Sequence, residues 1–216
     1  MQYLHERKEV LESARTISST RMVIGTWGNV SLRLGDQPWL LITPSGMNYD
    51  TMTVEDIVLL DLELNTIEGK WKPSVESPTH AEIYKHRPDV KAIVHVHSTY
   101  ATAFAVAHAT IPVIMEETAQ VIGHEVLTAP YAMCGTRELA VNTVNTLGEG
   151  KAVLLANHGL IGVGSNLKEA LKVCSIAEET AKIACLAQSL GSLHPLTNQE
   201  ILMLNQGFKS YGQSKS

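Results

Sequence analysis

His95 and His97 end an apolar, β-branched run, Val90-Lys91-Ala92-Ile93-Val94-His95-Val96-His97, that reads as a buried strand. Side chains alternate faces along a strand, so the two imidazoles point the same way. Two such rings side by side are a poor core choice and a good start for a metal site. A second run, Ala152-Val153-Leu154-Leu155-Ala156, leads into the turn Asn157-His158-Gly159. A third imidazole delivered from a strand end completes the three-histidine set that catalytic zinc uses, with the fourth position open. His5, His80, His86, His108, His124 and His194 lack such spacing and read as ordinary structural or surface residues.

What a metal on three imidazoles does depends on its neighbours; it can polarise a carbonyl or hold an enediolate oxygen. Glu76, in Lys72-Pro73-Ser74-Val75-Glu76-Ser77-Pro78-Thr79-His80, lies just upstream of the helix leading into the histidine strand. A carboxylate beside a metal is a fourth ligand or a general base; the ordinary alternative is an acid favoured by a helix N-terminus. Three turns, Gly28-Asn29, Ser45-Gly46 and Pro73-Ser74, offer N–H groups and hydroxyls suited to phosphate, although such residues are common turn formers. Other metal sites fail on spacing. A cupin-type site wants a glutamate soon after His-x-His, and the residues around Thr102 are not acidic. An amidohydrolase barrel needs a longer chain. A carbonic-anhydrase-like site leaves the polar turns without a purpose.

The elements that must carry these groups follow from periodicity. An amphipathic helix is expected over Leu4 to Ser19, with Val10, Leu11, Ala14 and Ile17 on one side. Val30 to Leu34 and Trp39 to Thr43 read as a hairpin broken at Gly35-Asp36, and Val58 to Leu64 as a further strand. A loop from Pro73 to Thr79 precedes a helix from His80 to about His86. Ser98 is placed to cap a helix over Thr99 to Ala107. Ile111 to Met115 looks extended. Helices are expected over Arg137 to Leu147 and Asn166 to Leu190, ended by Gly148 and Gly191, and a last one starts near Pro195 and Thr197. Hairpin-linked strands argue for an α/β fold with a largely antiparallel sheet covered by helices.

The 216 residues suit one domain, 1–216, with a sizeable core. A net charge of −5 without a basic block favours neither nucleic acid nor a membrane surface, so an anionic substrate must be met by local donors. Three cysteines, Cys134, Cys174 and Cys185, form no Cys-x-x-Cys pair, which argues against a disulfide scaffold or a thiolate zinc site. Cys174 and Cys185 read as thiols of a helix, and Cys134 as loop-like. The charged start His5-Glu6-Arg7-Lys8-Glu9 and the lack of a long apolar run give the expectation of a cytoplasmic protein.

Taken in order, the motifs resemble the class II aldolase/adducin family, nearest its fuculose-phosphate type. The matching pieces are Gly25-Thr26-Trp27-Gly28-Asn29-Val30-Ser31, Ile42-Thr43-Pro44-Ser45-Gly46, Lys72-Pro73-Ser74-Val75-Glu76, Ala92-Ile93-Val94-His95-Val96-His97, Ala129-Pro130-Tyr131 with Gly135-Thr136, and Asn157-His158-Gly159-Leu160. The resemblance implies a three-layer fold, a mainly antiparallel sheet between helices, and a homotetramer with fourfold symmetry and interfacial active sites. It implies one zinc ion per subunit on His95, His97 and His158. Glu76 is then the acid/base that can also ligate the resting metal. Gly28, Asn29, Ser45, Gly46 and Ser74 match phosphate-binding positions, and Tyr211 a tail tyrosine that folds over the site.

The implied reaction is cleavage of a ketose 1-phosphate to dihydroxyacetone phosphate and an aldehyde. L-fuculose 1-phosphate and the deoxypentulose or methylthiopentulose 1-phosphates fit equally. Two positions depart from the pattern. Val75 stands where the family often has a second phosphate-binding serine. Glu116 falls where fuculose-type aldolases carry a tyrosine that protonates the aldehyde oxygen, and a carboxylate serves there as an acid only when protonated. The rivals are an L-ribulose-5-phosphate 4-epimerase-like enzyme, whose relatives tend to have aspartate where Glu76 stands, and an adducin-like binding module, which has no need of three histidines.

Overall fold

A computed structural model of the chain describes residues 1–35 and 37–208. Its frame is an eight-stranded sheet of β1 (Asn29–Leu34), β2 (Trp39–Ile42), β3 (Val58–Asp61), β4 (Thr66–Glu68), β5 (Ala92–Val96), β6 (Thr128–Ala129), β7 (Ala152–Leu155) and β8 (Gly159–Gly164). The order is β4-β3-β2-β1-β5-β8-β7-β6, and every pair is antiparallel except β6 with β7. The helices are α1 (Leu4–Ser19), α2 (Ser77–His86), α3 (Thr99–Val106), α4 (Glu116–Val121), α5 (Arg137–Leu147), α6 (Leu167–Gln188) and α7 (Asn198–Phe208), with a 3₁₀ turn at Val54–Asp56.

Alternation along the strands divides the core into two layers. Val30, Leu32, Val94, Val96 and Leu160 join α1, α3 and α6 on one side. Leu40, Ile42, Ile93, Ile161 and Val163 join α2 and α5 on the other. The central strands are thus buried on both faces, which explains why β5 reads as an unbroken apolar run. This is the three-layer α/β arrangement with a mostly antiparallel sheet.

Several expected boundaries move. Helix α2 starts at Ser77, three residues before His80, because Pro78 in its first turn has no N–H to lose and a fitting φ. Strand β3 ends at Asp61, whose carboxylate accepts from the amides of Glu63 and Asn65 and turns the chain toward β4. Ser98 occupies the N-cap of α3 but its hydroxyl accepts no cap bond. The Glu178 carboxylate of α6 takes the amides of Tyr100 and Ala101 instead, at 3.0 and 2.8 Å. The pattern also hid β4, β6, β8 and α4. No helix of the described residues is long and apolar enough to cross a membrane.

Candidate functional site

The three histidines converge. His95 is a β5 residue paired with Asn29 of β1 on one side and Ile161 of β8 on the other. His97 lies two residues on, where the chain leaves the sheet, and its amide is held by the Met22 carbonyl at 3.1 Å. His158 sits in the turn between β7 and β8, after Asn157 at a left-handed φ of 57°. That turn is anchored by Asn157, whose amide donates to the Ala105 carbonyl and whose side-chain oxygen faces His108 Nε2 at 2.8 Å. Gly159 is required next: a side chain there would overlap the Val96 carbonyl oxygen and press on His97 Cδ2 at 3.0 Å. The ring centroids of the three imidazoles lie 4.8–4.9 Å apart.

Glu76 joins them from the N-cap of α2. Its Oε2 accepts from Asn29 Nδ2 at 2.7 Å and lies 3.0 Å from His95 Nε2, while Oε1 lies 3.6 Å from His158 Nε2 and has no hydrogen-bond donor. His95 Nε2 is 2.9 Å from His97 Nε2. On the far side of its ring, His95 Nδ1 is 3.0 Å from the Leu160 carbonyl. A proton on Nδ1 satisfies that carbonyl and leaves the Nε2 lone pair facing the cluster, the arrangement metal-bound histidines adopt.

The electrostatics agree with a ligand set. Burial, then the neighbouring imidazole charges, pushes His97 down to about 3, and burial with His95 pushes His158 down to about 4, so both are neutral at pH 7. Burial works against ionisation of Glu76, but His95, His158 and the Asn29 amide outweigh it and hold the carboxyl well below its usual range. The ligating nitrogens of the three histidines lie within 4.8 Å of one another, close enough to share one divalent ion. A largely buried carboxylate–imidazole cluster with an unpaired carboxylate oxygen fits a cation.

A cavity of about 330 Å³ opens over the cluster. It is lined by five of the six residues of the polar turns, Gly28, Asn29, Ser45, Gly46 and Ser74, together with Glu76, His97 and His158. His95 lies behind, fully buried. The turns are tied together: the Ser45 amide donates to the Lys72 carbonyl at 3.0 Å and the Ser74 amide to the Thr43 carbonyl at 3.1 Å. Those amides are therefore spent, and the two serines offer hydroxyls. No lysine or arginine lines the cavity among the described residues, so any anion is met by neutral donors and the N-terminal end of α2.

Two expected residues stay apart. Glu116 lies in the exposed first turn of α4 and does not line the cavity. Tyr211 lies outside the described residues. One neighbour was missed: the Cys134 thiol lies within 4.8 Å of Glu76 and His158 ligand atoms, and burial followed by the Glu76 charge pushes its pKa up to about 11. Nothing in its loop spacing marks it; its nearness to Gly135-Thr136 was the available signal. Thr26, Trp27 and Pro44 also line the cavity.

Comparison with known proteins agrees with this fold. The class II aldolase and adducin N-terminal domain pattern matches residues 8–185. The chain is 36% identical over 208 residues to a 5-deoxy-D-ribulose 1-phosphate aldolase of Bacillus thuringiensis serovar kurstaki, covering 96% of this chain and 97% of that one. It is 35% identical over 206 residues to the L-fuculose phosphate aldolase of Escherichia coli K12, covering 95% and 94%. A solved L-fuculose 1-phosphate aldolase superposes with a TM-score of 0.92 at 36% identity, covering 95% of this chain and 96% of that one. By the matched pattern, the length of these alignments and the shared fold, the chain belongs to the class II aldolase and adducin family, and the relatives it matches over nearly its whole length include aldolases.

Proposed function

We propose that this protein is a cytoplasmic, zinc-dependent aldolase that cleaves a ketose 1-phosphate to dihydroxyacetone phosphate and an aldehyde. The observation that carries the reading is the meeting of His95, His97 and His158 with a buried carboxylate, Glu76, at the floor of a cavity rimmed by three neutral polar turns. Zinc on the three imidazoles supplies Lewis-acid stabilisation of negative charge developing on the substrate's oxygens.

The rest is done by side chains. Glu76 is ionised at pH 7 and is held by Asn29, so it is ready to take a proton from the hydroxymethyl carbon of dihydroxyacetone phosphate, and to return one after cleavage. Gly28, Asn29, Ser45, Gly46 and Ser74 hold the phosphate, the serines through their hydroxyls. Val75, 60% exposed, leaves one hydroxyl contact unmade. We assign Glu116 and Tyr211 to the aldehyde end, and the protein to a fourfold homotetramer with interfacial active sites. The exposure of Glu116, and of Trp27, Val75 and Met133 around the cavity, supports a surface that a second subunit covers.

The test is release of dihydroxyacetone phosphate from L-fuculose 1-phosphate, 5-deoxyribulose 1-phosphate and 5-methylthioribulose 1-phosphate by zinc-loaded protein. Triose phosphate from at least one is expected, and its loss on chelation. Epimer formation from a pentulose phosphate without triose phosphate overturns the reading in favour of an epimerase. Metal-loaded protein inert on all of them overturns it outright.

A further inference from the structure

The metal cluster uses Glu76 but leaves the buried polar residues behind it unexplained. Glu76, His80 and Tyr84 recur every four residues and share one side of the first turns of α2. Asn29, Ser31 and Arg33 recur every two and share one face of β1. Four helical residues rise about 6 Å and two strand residues about 6.6 Å, so the two rows stay in step. The contacts follow that register. Asn29 Nδ2 donates to Glu76 at 2.7 Å. Ser31 Oγ lies 2.7 Å from His80 Nδ1 and 2.8 Å from the Tyr84 phenol oxygen. Arg33 Nη1 donates to the Tyr84 carbonyl at 2.8 Å.

Ser31, His80 and Tyr84 are fully buried, among residues such as Ile83 and Ile93. Three polar side chains in an apolar layer carry a desolvation cost that leucine or phenylalanine would avoid. One proton arrangement satisfies every donor. His80 Nδ1–H donates to Ser31, Ser31 to Tyr84, and Tyr84 to the Lys91 carbonyl at 3.4 Å. His80 Nε2, which has no partner, then carries only a lone pair and strands no N–H. The chain ends on a backbone carbonyl, so it holds a geometry and does not pass a proton to solvent. Asn29 holds the Glu76 carboxylate itself, but Glu76 sits at the N-cap of α2 and its side chain makes no cap bond to the helix, so its position also depends on how α2 is seated on β1.

We propose that His80 is a positioning residue: with Ser31 and Tyr84 it fixes the first turns of α2 on β1 and so aims the Glu76 carboxylate at the histidine cluster. This rests on the reading of Glu76 as the acid/base, and the experiment separates the two. Ser31→Ala, Tyr84→Phe, His80→Leu and His80→Asn are compared with the wild type, each loaded with Co²⁺ and with zinc. Asparagine places an amide where the imidazole Nδ1 stood. For Ser31→Ala and His80→Leu, kcat on the ketose 1-phosphate that the wild type cleaves is expected to fall about tenfold or more, with KM within about threefold and metal content unchanged. His80→Asn is expected to recover most of the loss. The visible bands of the Co²⁺ protein are expected to shift in Ser31→Ala and to return toward wild type in His80→Asn. Wild-type kcat and an unshifted spectrum in Ser31→Ala overturn the proposal, as does His80→Asn performing no better than His80→Leu. If His80→Leu does not fold, Ser31→Ala and Tyr84→Phe decide, and wild-type behaviour of both overturns it. A wild type inert on every ketose phosphate overturns the aldolase reading, while the cobalt spectra still decide whether His80 aims Glu76.

Discussion

At the scale of single residues, His97 and His158 are neutral at pH 7, the form in which an imidazole can bind a metal. His97 and His158 titrate at about 3 and about 4, through burial and neighbouring imidazole charge, whereas an unfolded histidine titrates near 6.5. Between those values the unfolded chain binds more protons than the folded one, so this stability is full above about pH 6.5 and is lost on acidification. Glu76, with a lowered pKa, acts in the same sense, its contribution fading as the pH falls below the ordinary carboxylate range. Metal-free protein is therefore expected to melt at steadily lower temperature from pH 7 to pH 4 by calorimetry, and a flat Tm would contradict this. His158→Ala is expected to cost more metal affinity than the roughly 10–100-fold lost with an outer-shell partner, measured by competition with a chelating dye; unchanged affinity would remove His158 from the ligand set. His95 and His97 were legible because strand alternation alone puts them on one face. Cys134 was not, because it reaches Glu76 only when two loops distant in the chain meet.

At the scale of elements, β8 shows what a sequence hides. It carries three glycines, Gly159, Gly162 and Gly164, which weaken a strand pattern, yet every residue of the strand is buried. The reason is close approach of α6: a Cβ on Gly162 would lie 2.6 Å from Cys174 Sγ and 3.0 Å from the Ala170 carbonyl oxygen. Gly162→Ala is expected to lower stability by about 1–3 kcal/mol by forcing α6 off the sheet, read from the urea midpoint. An unchanged midpoint would mean that the helix adjusts freely. The long helices were readable because each buries one stripe, and the β1–β2 hairpin because apolar and polar residues alternate along Val30-Ser31-Leu32-Arg33-Leu34 before the break at Gly35. Strands β4 and β6, of three and two residues, were too short to show a period at all. Helix α3 was found, but its cap came from Glu178 of another helix, which no local pattern announces.

At the scale of the whole molecule, the sheet order puts β1, β5 and β8 side by side, and that adjacency gathers residues as far apart as Thr26 and His158 around one cavity. No lysine or arginine lines the cavity among the described residues, while Trp27 on its lining (68%) and Met133 (69%), next in the chain to the lining residue Cys134, are exposed. A fourfold assembly would cover this surface, so light scattering is expected to give four times the chain mass; a monomer would contradict interfacial sites. The most direct check is proton exchange at the hydroxymethyl carbon of dihydroxyacetone phosphate in D₂O, followed by NMR with zinc-loaded protein. Wild type is expected to exchange it stereospecifically, and Glu76→Gln to bind zinc yet exchange at least about a hundredfold more slowly. No exchange by the zinc-loaded wild type, or undiminished exchange by Glu76→Gln, would contradict the assignment of Glu76 as the base beside the histidine cluster.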